Sequence, residues 1–332
     1  NGPDAPAGGG GGVAGSAAEA TPSANSVVAA DIADDAAVNA ARIRVNADHD
    51  SRYAGLADST NAAVVGGSGA AAYNRADADV RARVGNGATL DAIGDIEILA
   101  NNAFHSDVSD TSVSAAGGGV INGSAALIQT RLAGTTRADV GSDATLLTGI
   151  AGNGQAGEVD VIASTIADTN DTASLSTGGA IDVAIVRVGG EGDFDNQVSI
   201  GDGAALDTFG YLNIGTYTQA ASTGRALVNT WGLAAVGSAH SDVSFDSTQG
   251  VSIGANATLE AFKNIYLTAG RDARNLHDTR LTATSQAQGY VRGLIAIPDA
   301  SASADSRSTS DVTMAAGSKA LATTAKAGEQ YD

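Results

Sequence analysis

The sequence predicts an all-β protein built as a parallel β-solenoid, in which similar stretches of chain stack on one another. One stretch recurs six times, apolar and small residues alternate with polar ones along it, and only 4% of the residues are aromatic. These features fit a solenoid, because each repeat buries its apolar face against its neighbours and needs only small core residues such as Val, Ile, Leu, Ala and Thr.

The clearest copy covers residues 198–216, where apolar and small residues occupy every second position across a short Gly- and Asp-containing turn. A period of two indicates extended chain with one buried face. Residues 84–100 and 253–269 follow the same rule. The pattern predicts that the following residues form the core ladder: Leu90, Ile96, Ile98, Leu206, Leu212, Ile214, Leu259, Ile265 and Leu267.

The copies define one continuous solenoid over residues 1–332, with an irregular start allowed for residues 1–10. Their anchors are spaced by 52, 56, 60, 53 and 61 residues, at Ile32, Val84, Val140, Ile200, Ile253 and Met314. A glycine lies 21 residues before the anchor in five copies, at Gly11, Gly119, Gly179, Gly232 and Gly293. Length variation therefore falls elsewhere, as in residues 150–156, which we expect to form an inserted loop.

The number of coils in each repeat is estimated from its length. Residues 84–139 divide into segments of 19, 18 and 19 residues, a size typical of a coil of three short strands. Three coils per repeat would give a rod of roughly 80 Å at about 4.8 Å per coil. Two wider coils per repeat is the alternative that the sequence leaves open.

Local composition assigns the remaining segments. Residues 29–41 are rich in Ala and have helix propensity, but they align with residues 138–146, which suit a helix poorly, so a strand is predicted for both. The polar stretches 104–116, 163–172, 219–224 and 271–279 contain many Ser, Thr and Asp residues. These residue types favour strands with a wet face, or turns.

The chain is strongly acidic, with a net charge of −19 and 31 Asp against 6 Glu. Such a surface repels phosphate backbones, which argues against nucleic acid as a partner. There is no Cys and no apolar run of 18 residues, so neither disulfides nor a transmembrane segment are expected. The first residue is Asn, without a signal-peptide pattern, which predicts a piece of a longer protein.

The recurring pattern, Val/Ile-Gly-x-x-Ala-Thr/Ala-Leu-x-Ala/Thr followed by Gly-Asp/Tyr-Ile/Leu-x-Ile/Val-x-Ala/Thr, resembles the repeats of filamentous-haemagglutinin-like adhesins and very large bacterial exoproteins. The resemblance extends over nearly the whole chain. It implies a right-handed parallel β-helix that is secreted and displayed extracellularly at the bacterial cell surface. It carries no catalytic or binding residue, and the secretion domain and membrane barrel of such proteins are not found in this sequence.

No set of residues predicts catalysis, a cofactor or a metal site. His49, His105, His240 and His277 have no partner His at ligand spacing and are expected in exposed turns. Residues 189–196 are similar to a calcium-binding nonapeptide, but with the Asp residues displaced and a single copy, so a turn with at most incidental Ca²⁺ affinity is expected. Weak divalent-ion binding between molecules is considered for Asp171, Asp193, Asp195 and Asp242. Trp231 is expected at a coil corner or over a solenoid face.

These observations predict a structural, adhesive extracellular protein, the shaft of a surface adhesin or filament, with no enzymatic activity. Its expected partners are neighbouring repeats of the same protein and cell-surface or matrix ligands. The alternative is a subunit that assembles into multi-chain fibres, because open sheet edges invite further strands. A polysaccharide-degrading enzyme is less favoured, since it needs converging carboxylates, and the Asp residues are spread over the turns.

Overall fold

The computed structural model describes residues 4–106, 111–149, 156–272 and 277–322. Within these residues the protein contains strands and no helix, which confirms the all-β class. The strands are β1 Asp4–Ala20, β2 Ser23–Ile32, β3 Ala37–Ala40, β4 Ile43–Tyr53, β5 Leu56–Val84, β6 Thr89–Ala92, β7 Ile96–Ser106, β8 Thr111–Val140, β9 Thr145–Thr148, β10 Val159–Ile200, β11 Ala205–Thr208, β12 Leu212–Ile253, β13 Thr258–Ala261, β14 Ile265–Ala269, β15 Arg280–Met314 and β16 Lys319–Ala322.

In the described part of the chain, the sixteen strands pair in parallel and form two sheets, and the one antiparallel bridge joins Arg271 and Asp278 outside these strands. The larger sheet has ten strands, along the path β1-β5-β8-β10-β12-β14 with β2, β4, β7 and β15 beside it. The smaller sheet contains the four-residue strands in the order β16-β13-β11-β9-β6-β3. Each anchor residue pairs with the next anchor, as in Val84 with Val140 and Ile200 with Ile253.

The prediction of two to three coils per repeat is wrong. Paired residues lie one full repeat apart, for example Asp4 and Leu56, Val159 and Leu212, or Ile253 and Met314. Each repeat therefore makes one wide coil, and the six strands along the path of each sheet form a stack only about 29 Å tall at the spacing of parallel strands. The predicted rod of roughly 80 Å is wrong for the same reason.

Each wide coil is flattened because its long strand turns back on itself. In β10, the interior residues are odd-numbered up to Thr177 and even-numbered from Asp182 onward. The two arms face each other, since the Thr165 hydroxyl donates to Asn196 Oδ1 at 2.6 Å across the interior. Arms of about 20 residues span roughly 65 Å, so the protein is a two-layered slab.

The arms and the short sheet enclose an apolar core. Seven of the predicted core-ladder residues are buried, and Ile265 and Leu267 pack against the core while partly exposed. Phe104, Phe194 and Phe245 form a row of mutually tilted rings, with neighbouring ring centroids 6.1 Å apart. The predicted period-two ladder is confirmed in these strands.

Several local predictions can be compared with the strands. The segment 29–41 forms parts of β2 and β3, which confirms the strand prediction, whereas the irregular start is wrong from residue 4 onward because β1 pairs along β5. The stretch 163–172 lies within β10, with alternate side chains buried and most of the others facing outward, which confirms the prediction of a strand with a wet face. Most of the inserted loop and parts of the stretches 104–116 and 271–279 lie outside the described residues.

Candidate interaction surface

The arms of every coil meet in a sharp U-turn, and the recurring glycines lie at this position. Gly179 pairs with Gly119 in one neighbouring coil and with Gly232 in the other, and Gly232 pairs with Gly293. A Cβ atom on Gly232 would lie 2.3 Å from the carbonyl oxygen of Gly179, and one on Gly293 would lie 2.4 Å from that of Gly232. Glycine is required because successive backbones approach too closely for any side chain.

A buried carboxylate holds the U-turn from inside. Asp182 has no exposed surface, and it accepts hydrogen bonds from the hydroxyls of Thr177 and Thr230 and from Asn122 Nδ2, the last at 2.8 Å. These donors come from three neighbouring coils, β8, β10 and β12. Because charge-assisted hydrogen bonds are stronger than neutral ones, Asp182 ties the U-turns together.

The outside of the U-turns is lined by large apolar side chains. Of the 22 large apolar residues exposed in the described part of the chain, 14 lie at or beside a U-turn. We call this set the apolar tip edge: Val13, Val64, Val65, Val120, Ile121, Ile181, Val183, Ile185, Trp231, Leu233, Tyr290, Leu294, Ile295 and Ile297. The largest apolar patch on a protein surface is often functional, which makes this edge a candidate interaction surface.

The surroundings of the apolar tip edge are almost free of charge. In each coil we counted the charged residues in a window of 12 residues around the U-turn. The reference point is the residue that follows the recurring glycine position, and the window extends from five residues before it to six residues after it. These six windows contain three charged residues, Asp182, Arg292 and Asp299, although 17% of the chain is charged. Asp182 is buried, so only the last coil carries charge at this edge.

A second unusual feature is a buried polar cluster in the middle of the slab, formed by Tyr53, Asn74, Thr130, Asp171 and Ser241. Asn74 Nδ2 donates to Thr130 at 2.9 Å. Among the described residues, nothing donates a well-aligned hydrogen bond to either oxygen of Asp171, and the hydroxyls of Tyr53 and Ser241 are also unpaired. Polar atoms buried without partners destabilise the folded state.

Burial raises the pKa of the Asp171 carboxyl to about 7, while the nearby Thr130 hydroxyl acts in the opposite direction. Burial also raises the pKa of Tyr53 well above its ordinary value, and the negative charge of Asp171 adds to that shift. Both groups are harder to ionise because the interior solvates charge poorly. The cluster is therefore a site of electrostatic strain without an opening to a ligand.

The prediction of exposed turns is wrong for three histidines, because His49, His105 and His240 lie within β4, β7 and β12 and none of them is exposed. His49 is buried rather than exposed in a turn, with its Nδ1 atom 2.7 Å from Asn102 Oδ1 and its ring packed edge-on against Phe104. His277 is exposed and stacks on Tyr217, with ring centroids 5.2 Å apart. His105 and His240 are partly buried. The four side chains do not converge on one another.

The predicted turn at residues 189–196 is wrong, because this segment lies within β10. Asp193 and Asp242 are exposed and Asp195 is partly exposed, whereas Asp171 is buried and cannot contact another molecule. Within the described residues, no group of three or more His, Asp or Glu side chains is arranged to hold a metal ion. The acidic residues therefore do not form the candidate site.

Trp231 lies at the U-turn, as the prediction of a corner position implied. Its ring covers Gly178 of the neighbouring coil, where a Cβ atom would lie 2.2 Å from the indole, and it is still 53% exposed. The rest of the apolar tip edge was missed, although the sequence contains a signal for it. Adjacent apolar pairs such as Val64-Val65 and Val120-Ile121 break the alternation, so one member of each must face outward.

Comparison of the chain with models of protein families, with curated proteins and with solved structures found no match. In the part of the chain that the structure describes, no helix is long and apolar enough to cross a membrane. The fold and surface described above are thus the basis for any functional assignment.

Proposed function

We propose that this chain is a segment of the shaft of an extracellular bacterial surface adhesin or filament, built as a right-handed parallel β-helix. The observation that carries the proposal is the coil-on-coil register, which links the described strands between Asp4 and Ala322 and pairs every anchor residue with the next. Such a stack gains stability and height by addition of coils, which is what a shaft requires. In this role the protein supports and displays and has no catalytic task.

The experiment is immunogold labelling of intact cells of the native producer with an antibody against the purified chain. We expect label on the outer surface, at filaments or at a surface layer, without permeabilisation. Label that appears only after the cells are opened contradicts the proposal.

A second candidate is a subunit that assembles end to end into multi-chain fibres. It is favoured by β15, whose outer edge pairs with no described strand and whose residues 292–314 are all exposed. Unpaired strand edges accept further strands. Negative-stain imaging of the purified chain distinguishes the candidates, since long unbranched fibres favour assembly and single slabs favour the shaft.

A further inference from the structure

We propose that the apolar tip edge is a lipid-binding edge, which docks on the surface of an uncharged, zwitterionic bilayer with the two arms of each coil pointing away from it. The proposal rests on the geometry and chemistry of the U-turns. It is independent of the role as a shaft and stands or fails separately from it.

The side chains at the edge have the chemistry of a bilayer surface. The apex of the U-turns carries aliphatic residues, including Leu233 and Leu294, which are 66% and 87% exposed. The aromatic side chains of Trp231 and Tyr290 lie two and four residues before these apex positions. Trp and Tyr favour the headgroup level, because one part of each ring system is apolar and another part forms hydrogen bonds.

The charge distribution of the chain favours a zwitterionic bilayer over an anionic one. The chain carries a net charge of −19, so an anionic bilayer repels it. Except in the last coil, the exposed surface within five residues of the U-turn is uncharged, which is a margin of roughly 16 Å along each arm. Peripheral segments bury only about 5–10 Å into the headgroup and acyl boundary, so the inner coils can dock without bringing a charge into the lipid.

The backbone at the U-turn is also suited to an apolar environment. Pairing between β10 and β12 continues through Gly179 with Gly232 and resumes at Ile181 with Ala234. One residue per coil therefore leaves the ladder between β10 and β12, and two leave it between β5 and β8, where pairing stops at Ala62 with Gly118 and resumes at Val65 with Ile121. Lipid tolerates this arrangement because nearly all backbone N–H and C=O groups of the inner coils are already hydrogen-bonded.

The size of the edge argues against a second copy of the chain as the occupant. The stack is about 30 Å tall and the edge about 15 Å wide, so each copy would bury on the order of 450 Å². A stable protein interface buries about 800 Å² on each partner. A bilayer needs no matching surface, so the same area is sufficient for reversible binding.

The fluorescence of Trp231 reports directly on contact between the apolar tip edge and lipid, because Trp231 is the single Trp of the chain. The whole chain is mixed with vesicles of phosphatidylcholine, and binding is measured by flotation and by Trp231 emission. We expect a blue shift on binding and quenching by lipids brominated near the headgroup end of the acyl chains. Adding phosphatidylserine to the vesicles is expected to weaken binding.

Two variants on β10 form a matched pair. Ile181→Ser changes the apolar tip edge, and Ile166→Ser changes another exposed isoleucine on the outer face of the same strand; the two residues are 52% and 40% exposed. Ile181→Ser is expected to lower the vesicle partition coefficient by about tenfold, from the lost transfer of one aliphatic side chain. Ile166→Ser should leave it unchanged. Circular dichroism and thermal unfolding verify that both variants are folded.

Three results would overturn the proposal. The first is no flotation of the folded wild-type chain with phosphatidylcholine, and the second is equal loss of binding in both variants. The third is a lipid-free dimer, seen by analytical ultracentrifugation, that Ile181→Ser disrupts and Ile166→Ser does not. That outcome would assign the edge to a second copy of the chain.

Discussion

The carboxylate of Asp171 shows how one residue can work against the fold that contains it. It is 1% exposed and lies within hydrogen-bonding strands, yet neither oxygen has a well-aligned donor among the described residues. Its pKa rises to about 7 from an ordinary value of 3.8 because burial disfavours the charged form. A raised folded-state pKa of an acid stabilises the protein at low pH and destabilises it as the carboxyl ionises.

We therefore predict that Asp171→Asn stabilises the protein progressively as pH rises. Below about pH 4, Asp171 is protonated in the folded and unfolded chain. Between about pH 4 and 7 the wild type loses stability through this group, by an amount on the order of 4 kcal/mol. The difference in Tm between Asp171→Asn and wild type, measured from pH 4.5 to 8.5, should grow up to about pH 7 and then level off.

The control for this prediction is Asp193→Asn, which removes an exposed carboxylate from the same strand. Its Tm difference from wild type should be small across the same pH range. A Tm difference for Asp171→Asn that does not change with pH would show that Asp171 is not forced to ionise inside the protein.

The turns that precede the strands of the short sheet pack against the equivalent turns of the neighbouring coils. Each contains a residue with positive φ, and along the stack Asx and Gly alternate at this position: Asp35, Gly87, Asp143, Gly203, Asn256 and Gly317. A Cβ atom on Gly203 would lie 2.3 Å from Asp143 Oδ1, and one on Gly317 would lie 2.3 Å from Asn256 Oδ1. The Asx side chain of one coil thus occupies the space that glycine leaves in the next.

We predict that Gly203→Ala destabilises the protein by about 1–3 kcal/mol, because alanine is disfavoured at positive φ and its methyl group displaces Asp143. Denaturant unfolding measures the change. The matched control is Gly123→Ala in β8, where an added Cβ atom meets nothing within 4 Å. Equal stabilities of the two variants would mean that the turn tolerates a side chain and that the Asx and Gly alternation is incidental.

The whole molecule is a stack of translationally related coils, so complete coils should be removable. Deletion of residues 201–253 removes one repeat and joins Ile200 to Gly254, which keeps the side-chain alternation. The shortened chain is expected to keep a strand-dominated circular dichroism spectrum and cooperative unfolding, at a lower Tm because one interface is lost. Loss of all structure would contradict the additive stack.

The same deletion tests the turn alternation at the scale of the stack. It places Asn256 directly beside Asp143, whereas in the full chain Gly203 lies between them. Adding Asn256→Gly to the deletion should therefore raise its Tm by several degrees. In the full chain the same substitution should have little effect, because Asn256 already has glycine on both sides.

Much of this structure could be predicted from local pattern. The period of two placed Leu90, Ile98 and Ile214 in the core, and the anchor spacings equal the offsets between paired strands. The recurring glycines mark the U-turn. Adjacent apolar residues lie beside these glycines. Because neighbouring residues of a strand face opposite sides, such pairs indicate an exposed apolar surface, although the sequence analysis did not predict one.

The number of coils per repeat and the location of the polar segments were decided by tertiary structure. Alternation is the same in a narrow coil and a wide one, so it could not show that the chain turns back only once per repeat. It also could not show which face is covered, because burial of Thr165 or Asp171 depends on the opposite arm. The sequence by itself determined the strands, the apolar core ladder and the positions of the recurring glycines, since these follow from a pattern repeated at equivalent positions. The flattened coil, the buried Asp171 and the exposed apolar tip edge arise from contacts between non-equivalent positions, which only the folded chain brings together.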